Sequence, residues 1–226
     1  MLLLPSGETP IHWRRSRQAR RISLRIDARA GAVVVTLPPR ASREAGMDLI
    51  RTHATWIADK LAALPGQVVF KAGEAVALGG IPHVIRPVPD AKRGVWIEAG
   101  EIRVSGEPVF LARRVLDFLR SEARAILGAC ARQIAAISGL KPTHLVIKDT
   151  SSRWGSCSSE GVVMFSWRLV MAPPEIQHYV VAHELAHLRH LDHSPNFWAQ
   201  VASLTPHRAR AEAWLRLHGA ALLRTG

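Results

Sequence analysis

The segment VVAHELAHLRHLDHSPNFW, residues 180–198, constrains the fold more than any other part of the sequence. It places the titratable side chains of His183, Glu184, His187, His190 and His193 within eleven positions of an otherwise apolar stretch. Such a stretch is expected to be buried, and buried polar groups are stable only when they are paired or bind a metal ion. The segment therefore predicts a half-buried helix that carries a metal site.

HELAH, residues 183–187, matches the HExxH pattern of metal-binding helices. On an α-helix His183 and His187 lie about 40° apart around the axis and about 6 Å apart along it, so both imidazoles can reach one ion. Glu184 lies about 100° from His183, where its carboxylate can reach a water on that ion without binding the ion itself. A catalytic zinc takes three protein ligands and a water whose pKa falls to about 7. The pattern thus predicts a Zn²⁺ site with Glu184 as general base.

The third ligand has to come from outside the HExxH pattern. His190 lies about 10 Å further along a straight helix than His183, too far to share one ion with it. His193 can share the ion if the helix ends near residue 190 and the chain turns back through LDHSP, whose residues favour turns. The spacing then matches HExxHxxGxxH, with His190 in the place of the glycine. We favour His193 as the third ligand, and Glu212 on a later helix is the alternative.

Composition bounds the class of protein. The chain has 226 residues, of which 48% are hydrophobic and 21% charged, typical of a globular protein. Its two cysteines, Cys130 and Cys157, argue against the disulfide framework of a small secreted protein. The first ten residues lack the pattern of a signal peptide, and no apolar run approaches the roughly 18 residues of a membrane span. We therefore expect a cytoplasmic protein that does not cross a membrane.

Basic residues are concentrated near the N-terminus. The formal charge of +12 makes an acidic partner plausible, nucleic acid first. Asp27 is the only acid in a sixteen-residue stretch that could grip phosphates, with His12 and Trp13 beside it. The alternative is a solvated strand face, because arginines there alternate with apolar residues. The basic residues are Arg14, Arg15, Arg17, Arg20, Arg21, Arg25 and Arg29.

The first 105 residues are predicted to be β-rich with one helix. RISLRID alternates apolar and polar residues like a half-buried strand, and GAVVVTLPP predicts its hairpin partner. Ser42 is placed to cap a helix, and short strands broken by glycines follow between residues 68 and 105. The apolar face of the helix is Met47, Ile50, Ala54, Ile57, Leu61 and Leu64.

The remaining residues predict mainly helices. A long amphipathic helix over 109–137 is ended by Gly139, and THLVIKD and VVMFSWRLVMA predict two strands. Pro173 and Pro174 fit the first turn of the HELAH helix, and two more helices follow, separated near Thr205. This order predicts an α+β fold with a boundary near residue 106, between an N-terminal region over 1–105 and a catalytic domain over 106–226.

The motifs SRWGSC, WRLVMAPPE and YVVAHELAHLRHLDHSPNFW resemble those of the YgjP-like metallopeptidase family, as do SRQARRISLRID and VTLPPRASRE. The last block is also similar to WLM and SprT-type proteases, which act on proteins at DNA lesions. The resemblance implies a zincin-like fold, with His183, His187 and His193 as zinc ligands and Glu184 as general base. The sequence departs from the family pattern at Ser166, a position where we associate asparagine with the family. Members have also been labelled nucleotide pyrophosphatases.

Three residues near these motifs are candidates for the substrate side of the site. The resemblance implies that the strand over residues 152–157 borders the cleft, where a zincin can bind an extended peptide by strand addition. Arg153 could stabilise an oxyanion or hold a substrate carboxylate, or be a surface arginine. Trp154 and Tyr179 could line the site or pack in the core. Cys157 is expected to be a buried free cysteine rather than a nucleophile.

Three functions fit these observations. The leading one is a zinc-dependent endopeptidase, with DNA-associated proteins as one candidate class of substrate. The second is a metal-dependent nucleotide pyrophosphatase, although the sequence has no P-loop and no carboxylate cluster of the kind that magnesium-dependent phosphate chemistry prefers. The third is a nucleic-acid-binding module with a structural metal. Glu184 argues against it, as does the open position of a three-ligand site, because structural zinc sites are closed.

Overall fold

The computed structural model of the chain describes residues 2–4 and 7–226. It contains both helices and sheets, which confirms the predicted α+β class. The chain divides into two compact units, Met1–Gly66 and Gln67–Gly226. Within the described residues, no helix is both long and apolar enough to cross a membrane.

In its described residues, 2–4 and 7–66, the first unit contains two small sheets and two helices. The central three-stranded sheet has the order β3-β5-β4, in which β4 and β5 form the predicted antiparallel hairpin and β3 runs parallel to β5. Its elements are β1 (Leu2–Leu4), β2 (Gly7–Thr9), β3 (Ile11–Arg15), β4 (Ser23–Asp27), β5 (Ala32–Leu37), α1 (Arg43–Thr52) and α2 (Ala54–Ala62).

One face of this sheet packs on the helices. Val33 and Val35 on β5 form a core with Ile50 and Ile57 on the helices. Ser42 caps α1 as predicted, because its hydroxyl accepts a hydrogen bond from the backbone N–H of Ala45 at 3.0 Å. The single helix expected here is two helices in the structure. The backbone between them leaves the helical conformation at residue 53, with φ −107° and ψ 20°.

The second unit begins with a four-stranded sheet of order β6-β7-β9-β8 and continues with the helices and a smaller sheet. Its elements are β6 (Ala75–Leu78), β7 (Ile81–Val88), β8 (Val95–Glu98), β9 (Glu101–Ser105), α3 (Leu111–Ser138), β10 (His144–Lys148), β11 (Gly155–Cys157), β12 (Val162–Ser166), α4 (Pro174–Ala186), α5 (Pro195–Leu204) and α6 (Arg208–Leu223).

One hydrophobic core unites this unit. Ile85 and Ile102 of the four-stranded sheet belong to the same buried cluster as Leu119 of α3 and Leu185 of α4. The boundary expected near residue 106 therefore falls inside the second unit, since the strands before it and the helix after it bury their apolar faces together. The long helix itself ends as predicted, at Gly139 in the left-handed conformation (φ 69°).

The smaller sheet has the order β10-β12-β11, with β10 parallel and β11 antiparallel to β12. The segment VVMFSWRLVMA was expected to be one strand. It remains a strand only to Ser166 and continues as a buried 3₁₀ helix, Trp167–Met171. The carbonyls of Val170 and Met171 accept hydrogen bonds from the backbone of the β6–β7 turn, at 2.8 and 2.9 Å. The segment thus satisfies its backbone against a turn rather than a strand.

Candidate metal centre

Helix α4 carries the HExxH residues. Pro174 stands at its first position and Glu175 in its first turn, both favourable at a helix N-terminus. The helix is apolar on nearly all sides, and most of its residues are buried in the core. Glu184 is only 7% exposed, and His183 is partly buried. The prediction that titratable groups lie on a buried helix is confirmed for His183 and Glu184, whereas the helix ends at Ala186 rather than near residue 190.

A tight turn after α4 brings the third histidine back. The helix ends at Ala186, and the N–H groups of Arg189 and His190 both bond the Ala186 carbonyl, at 3.1 and 3.2 Å. Ser194 then caps α5 through the backbone N–H of Phe197. His193 lies in the turn between these two helices, and the chain reverses as the LDHSP segment predicts.

The three histidine rings converge. One ring nitrogen from each of His183, His187 and His193 lies within 4.8 Å of the other two. The Nε2 atoms of His183 and His193 are 3.3 Å apart. That distance is the edge of a tetrahedron with bonds of about 2.0–2.1 Å, the zinc–nitrogen length. The separation of these two atoms and the all-nitrogen donor set therefore fit a zinc ion.

Two different contacts orient the rings. The Nδ1 of His187 lies 2.9 Å from the carbonyl of His190, so it carries the proton and donates, which leaves Nε2 free to bind a metal. His190 thus meets the cluster through its backbone. The Nδ1 of His183 is buried and has no hydrogen-bond partner among the described atoms. Packing orients this ring, since Tyr179 and Phe197 meet it edge-on.

Phe197 packs against two of the histidine rings. It is fully buried, stacks on His187 with ring centroids 4.4 Å apart, and lies 4.8 Å from His193. An aromatic ring in this place restricts two histidines at once, one on the helix and one on the turn. The turn is therefore held against the core by packing.

Glu212, the alternative third ligand, belongs to a different network. Its Oε1 accepts hydrogen bonds from the Tyr179 hydroxyl at 2.9 Å and from Arg208 Nε at 3.0 Å. It is not part of the group of convergent ligand atoms found among the described residues, which consists of the three histidines. The structure thus brings His193 to the other histidines and leaves Glu212 paired elsewhere.

Burial shapes the electrostatics of the cluster. It raises the pKa of Glu184 to about 7, against an opposing effect of Arg153. It lowers the pKa of His183 to about 4, together with the neighbouring rings of His187 and His193. A neutral imidazole is the form that binds metal, and a carboxylate with a pKa near neutrality can both take and give a proton. Burial also raises the pKa of the Cys157 thiol.

Gly155 on β11 was missed by sequence reasoning, although it lies inside the SRWGSC motif. A Cβ at this position would be 2.4 Å from Cγ of Glu184 and 2.7 Å from its Cδ and Oε1. No side chain other than hydrogen leaves room for the carboxylate as it stands. Glycine therefore lets Glu184 lie directly against the strand, next to the histidines.

The predicted substrate-side residues line two cavities at the cluster. One, of about 370 Å³, includes the histidines, Glu184 and Arg153. The other, of about 460 Å³, shares Glu184 and Arg153 and adds Trp154 and Tyr179. Trp154 also packs on the core, and Tyr179 is 5% exposed. Cys157 is partly buried and unpaired, and Ser166 is fully buried and lines neither cavity.

Strand β11 is an edge strand, and its free side offers backbone groups. The Trp154 carbonyl accepts from Ser166 N–H at 2.8 Å and Ser158 N–H donates to Val162 at 3.0 Å, so residues 154, 156 and 158 face β12. Because backbone groups alternate along an antiparallel strand, those of Gly155 and Cys157 point away from the sheet. The edge is open to an added strand.

The sequence matches the family model described as YgjP-like, metallopeptidase domain, over residues 20–218. The chain belongs to the YgjP-like metallopeptidase family. Members of this family are metallopeptidases, so the chain is a hydrolase of peptide bonds that uses a metal ion. The matched range includes the whole of the cluster and the strand beside it.

A solved structure, that of the metallopeptidase zymogen of Pyrococcus abyssi abylysin, is similar to part of this YgjP-like protein. It is 24% identical, covers 41% of this chain and 92% of that chain, and has a TM-score of 0.36. At that TM-score the similarity supports no conclusion about this chain. No curated protein matches the sequence.

Proposed function

We propose that this metallopeptidase is a zinc-dependent endopeptidase in which His183, His187 and His193 hold the metal and Glu184 is the general base. The observation that carries the proposal is the convergence of three histidine nitrogens beside a buried carboxylate. The all-nitrogen donor set favours zinc over calcium and magnesium, because those two ions are bound mainly by oxygen ligands.

Each residue then has a definite task. Zinc, when bound, supplies a Lewis acid that polarises a carbonyl and makes water a nucleophile near neutral pH. Glu184 takes a proton from the attacking water and delivers it to the leaving amine, and its pKa of about 7 suits both transfers. His187 keeps its proton on Nδ1 through the His190 carbonyl, which fixes the ring for metal binding.

We propose that the substrate is an unfolded or extended segment of protein. The free backbone groups of Gly155 and Cys157 can pair with a peptide as a further strand, which would place its backbone beside Glu184. Cavities continue from the cluster in two directions, one past Tyr179 and the other past Leu191. A groove that continues on both sides suits cleavage within a chain.

Arg153, Trp154 and Tyr179 remain our candidates for substrate contact. Arg153 lines both cavities and is near enough to Glu184 to influence its pKa. A guanidinium in that place can stabilise negative charge that develops on a substrate carbonyl. Trp154 offers an apolar wall, and Tyr179 holds Glu212 at the far side of the same cavity.

We also propose that the first unit binds nucleic acid. Register places Arg14 on β3 and Arg25 on β4 on the same face of their sheet, opposite the face that packs on the helices. Both are exposed, as are Arg17, Arg20 and Arg21 in the loop between the strands, and no ion pair engages these five within the described residues. Uncommitted arginines suit phosphate binding. Such a unit would bring the peptidase to DNA-associated proteins.

We place the protein in the cytoplasm. Its two cysteines are free and one of them, Cys157, lies at the cluster, where oxidation would interfere. A reducing compartment keeps such thiols intact.

The decisive experiment incubates the zinc-loaded full chain with an unfolded protein, with and without DNA, beside Glu184→Gln. We expect the wild type to cleave and Glu184→Gln to retain zinc without cleaving. A parallel incubation with nucleoside triphosphates tests the pyrophosphatase alternative. Pyrophosphate release without peptide cleavage would replace our proposal, and DNA binding by protein that binds zinc but hydrolyses neither substrate would favour a binding module.

A further inference from the structure

The cavity of about 460 Å³ between β11 and α6 has an uneven distribution of charge. Its apolar walls include Trp154, Val180 and Leu215. Its cationic groups are two exposed arginines, Arg153 from the segment before β11 and Arg216 from α6. The cavity opens on Glu184 and His183, so a side chain that enters it belongs to a residue near the reacting bond.

The two arginines are uncommitted. Neither guanidinium forms a hydrogen bond or an ion pair within the part of the chain that the structure describes. Other arginines of α6 are used differently: Arg208 pairs with Glu212 at 3.0 Å and Arg210 with Glu175 at 2.9 Å. Arg216 is thus a cation on the same helix that faces the cavity and keeps its donors free.

The cavity is lined by two acidic residues, Glu184 and Glu212, and neither forms a hydrogen bond or an ion pair with the two arginines within the described residues. Glu184 is near enough to Arg153 to be influenced by its charge. Glu212 is occupied by the Tyr179 hydroxyl at 2.9 Å and by Arg208 at 3.0 Å. It lies on the wall shared with Tyr179, and it would repel a multiply charged group more than a singly charged one. A single carboxylate is therefore a better match for the cavity than a phosphate.

We propose that Arg153 and Arg216 form a carboxylate-binding subsite, and that this peptidase prefers substrates with a carboxylate close to the scissile bond. The inference rests on the proposed endopeptidase function and adds a substrate class to it. Planar guanidinium groups bind carboxylates through paired, charge-assisted hydrogen bonds. The apolar walls suit the methylene stem of a glutamate side chain, and a C-terminal carboxylate would present the same chemistry.

The test uses peptides that carry Glu, Gln, Leu or Lys in turn at each of the positions flanking one cleavable bond. With the zinc-loaded wild type, we expect at one position a kcat/KM for Glu about tenfold or more above that for Gln, since charged hydrogen bonds are worth that much. Arg216→Ala should lower cleavage of the Glu peptide to that of the Gln peptide. Arg216→Glu should invert the preference in favour of Lys.

A control variant separates the subsite from net charge. Arg124 is an exposed arginine on α3 that lines none of the cavities, so Arg124→Glu should leave the Glu preference of the wild type intact. Peptides with free and amidated C-termini distinguish the two sources of carboxylate. A preference that follows the free terminus would assign the subsite to chain ends, and one that follows Glu would assign it to side chains.

Binding is measured separately from cleavage. In Glu184→Gln, the affinity for a labelled Glu peptide should exceed that for its Gln counterpart and should lose this difference when Arg216→Ala is added. Equal affinities, or a difference that survives Arg216→Ala, would overturn the subsite even if the protein cleaves peptides. If the binding preference is intact but the wild type cleaves no peptide, the result would contradict the endopeptidase function and still support the carboxylate-binding subsite.

Discussion

The two units of this chain hold their charged groups in opposite ways. The second unit buries Glu184 on an apolar helix to 7% exposure, close to three histidines, whereas the first unit leaves most of its arginines on its surface. The first 66 residues contain eleven arginines and lysines against five acids, an excess that makes this unit basic. Burial of a titratable group demands a partner or ligand, so the cluster has few interpretations. An exposed arginine is stable with or without one.

The largest effect in the second unit is expected from Gly155→Ala. The new methyl group would overlap Glu184 and displace its carboxylate, and a shift of about 1 Å in a catalytic group can cost about 100-fold in rate. We expect kcat to fall by about that factor while zinc affinity is unchanged, measured by peptide cleavage and metal titration.

A double-mutant cycle identifies the cause. Glu184→Ala removes Cγ, Cδ and Oε1, the atoms that the new methyl group would overlap, so adding Gly155→Ala to Glu184→Ala should cost much less free energy of unfolding than adding it to the wild type. Gly66→Ala is the matched control, because its Cβ would meet nothing within 4 Å. Equal losses in both backgrounds would mean that Gly155 acts through something other than Glu184.

The next largest effect is expected from removal of the metal, which should lower the thermal stability of the second unit. A ligand present at 100 times its dissociation constant stabilises the folded state by about 2.7 kcal/mol, so zinc at that level should raise Tm by roughly 5–10 °C over protein treated with a chelator. His193→Ala should lose most of this shift. His190→Ala should keep it, because that residue meets the cluster through its carbonyl. Loss of the shift in His190→Ala would instead place that side chain among the ligands.

A smaller effect is expected from changes in the first unit. Replacing Arg14, Arg21 and Arg25 with glutamine should weaken DNA binding and make the slope of log affinity against log salt shallower by about three, one for each lost phosphate contact. Peptide cleavage without DNA should be unchanged, since none of the three lines the cavities of the cluster. An unchanged slope would show that this face is only solvated.

The smallest change should follow from Ser42→Ala. Removing the hydroxyl that caps α1 should cost about 1 kcal/mol of helix stability, because the Ala45 N–H loses its acceptor. Hydrogen exchange of the full chain should show faster exchange in the first unit and no change around α4. Protection lost equally in both units would mean that they unfold together.

Sequence patterns succeeded where a periodicity or a cap decides the structure. The hairpin of β4 and β5, the cap at Ser42 and the end of the long helix at Gly139 were all expected, and each depends on neighbouring residues alone. The HExxH spacing and the turn before Ser194 likewise anticipated that three histidine rings would converge. Their role as zinc ligands stays a prediction.

Features that depend on distant residues could not be predicted in this way. The 3₁₀ helix at Trp167–Met171 forms against a turn about ninety residues earlier, and the core joins β9 to α3 across the expected boundary. Arg216 lines the same cavity as Arg153 only because α6 folds back beside the segment before β11. Local sequence patterns contain no information on which distant segments of the chain pack together.

The contact between Gly155 and Glu184 also bears on how such chains can be recognised. The glycine stands twenty-nine positions before the glutamate, and neither residue can change size freely while the other stays. An HExxH helix and a strand glycine therefore form a bipartite signature. A chain with the helix motif but a side chain at the strand position should be unable to hold its glutamate in this place, whatever its histidines do.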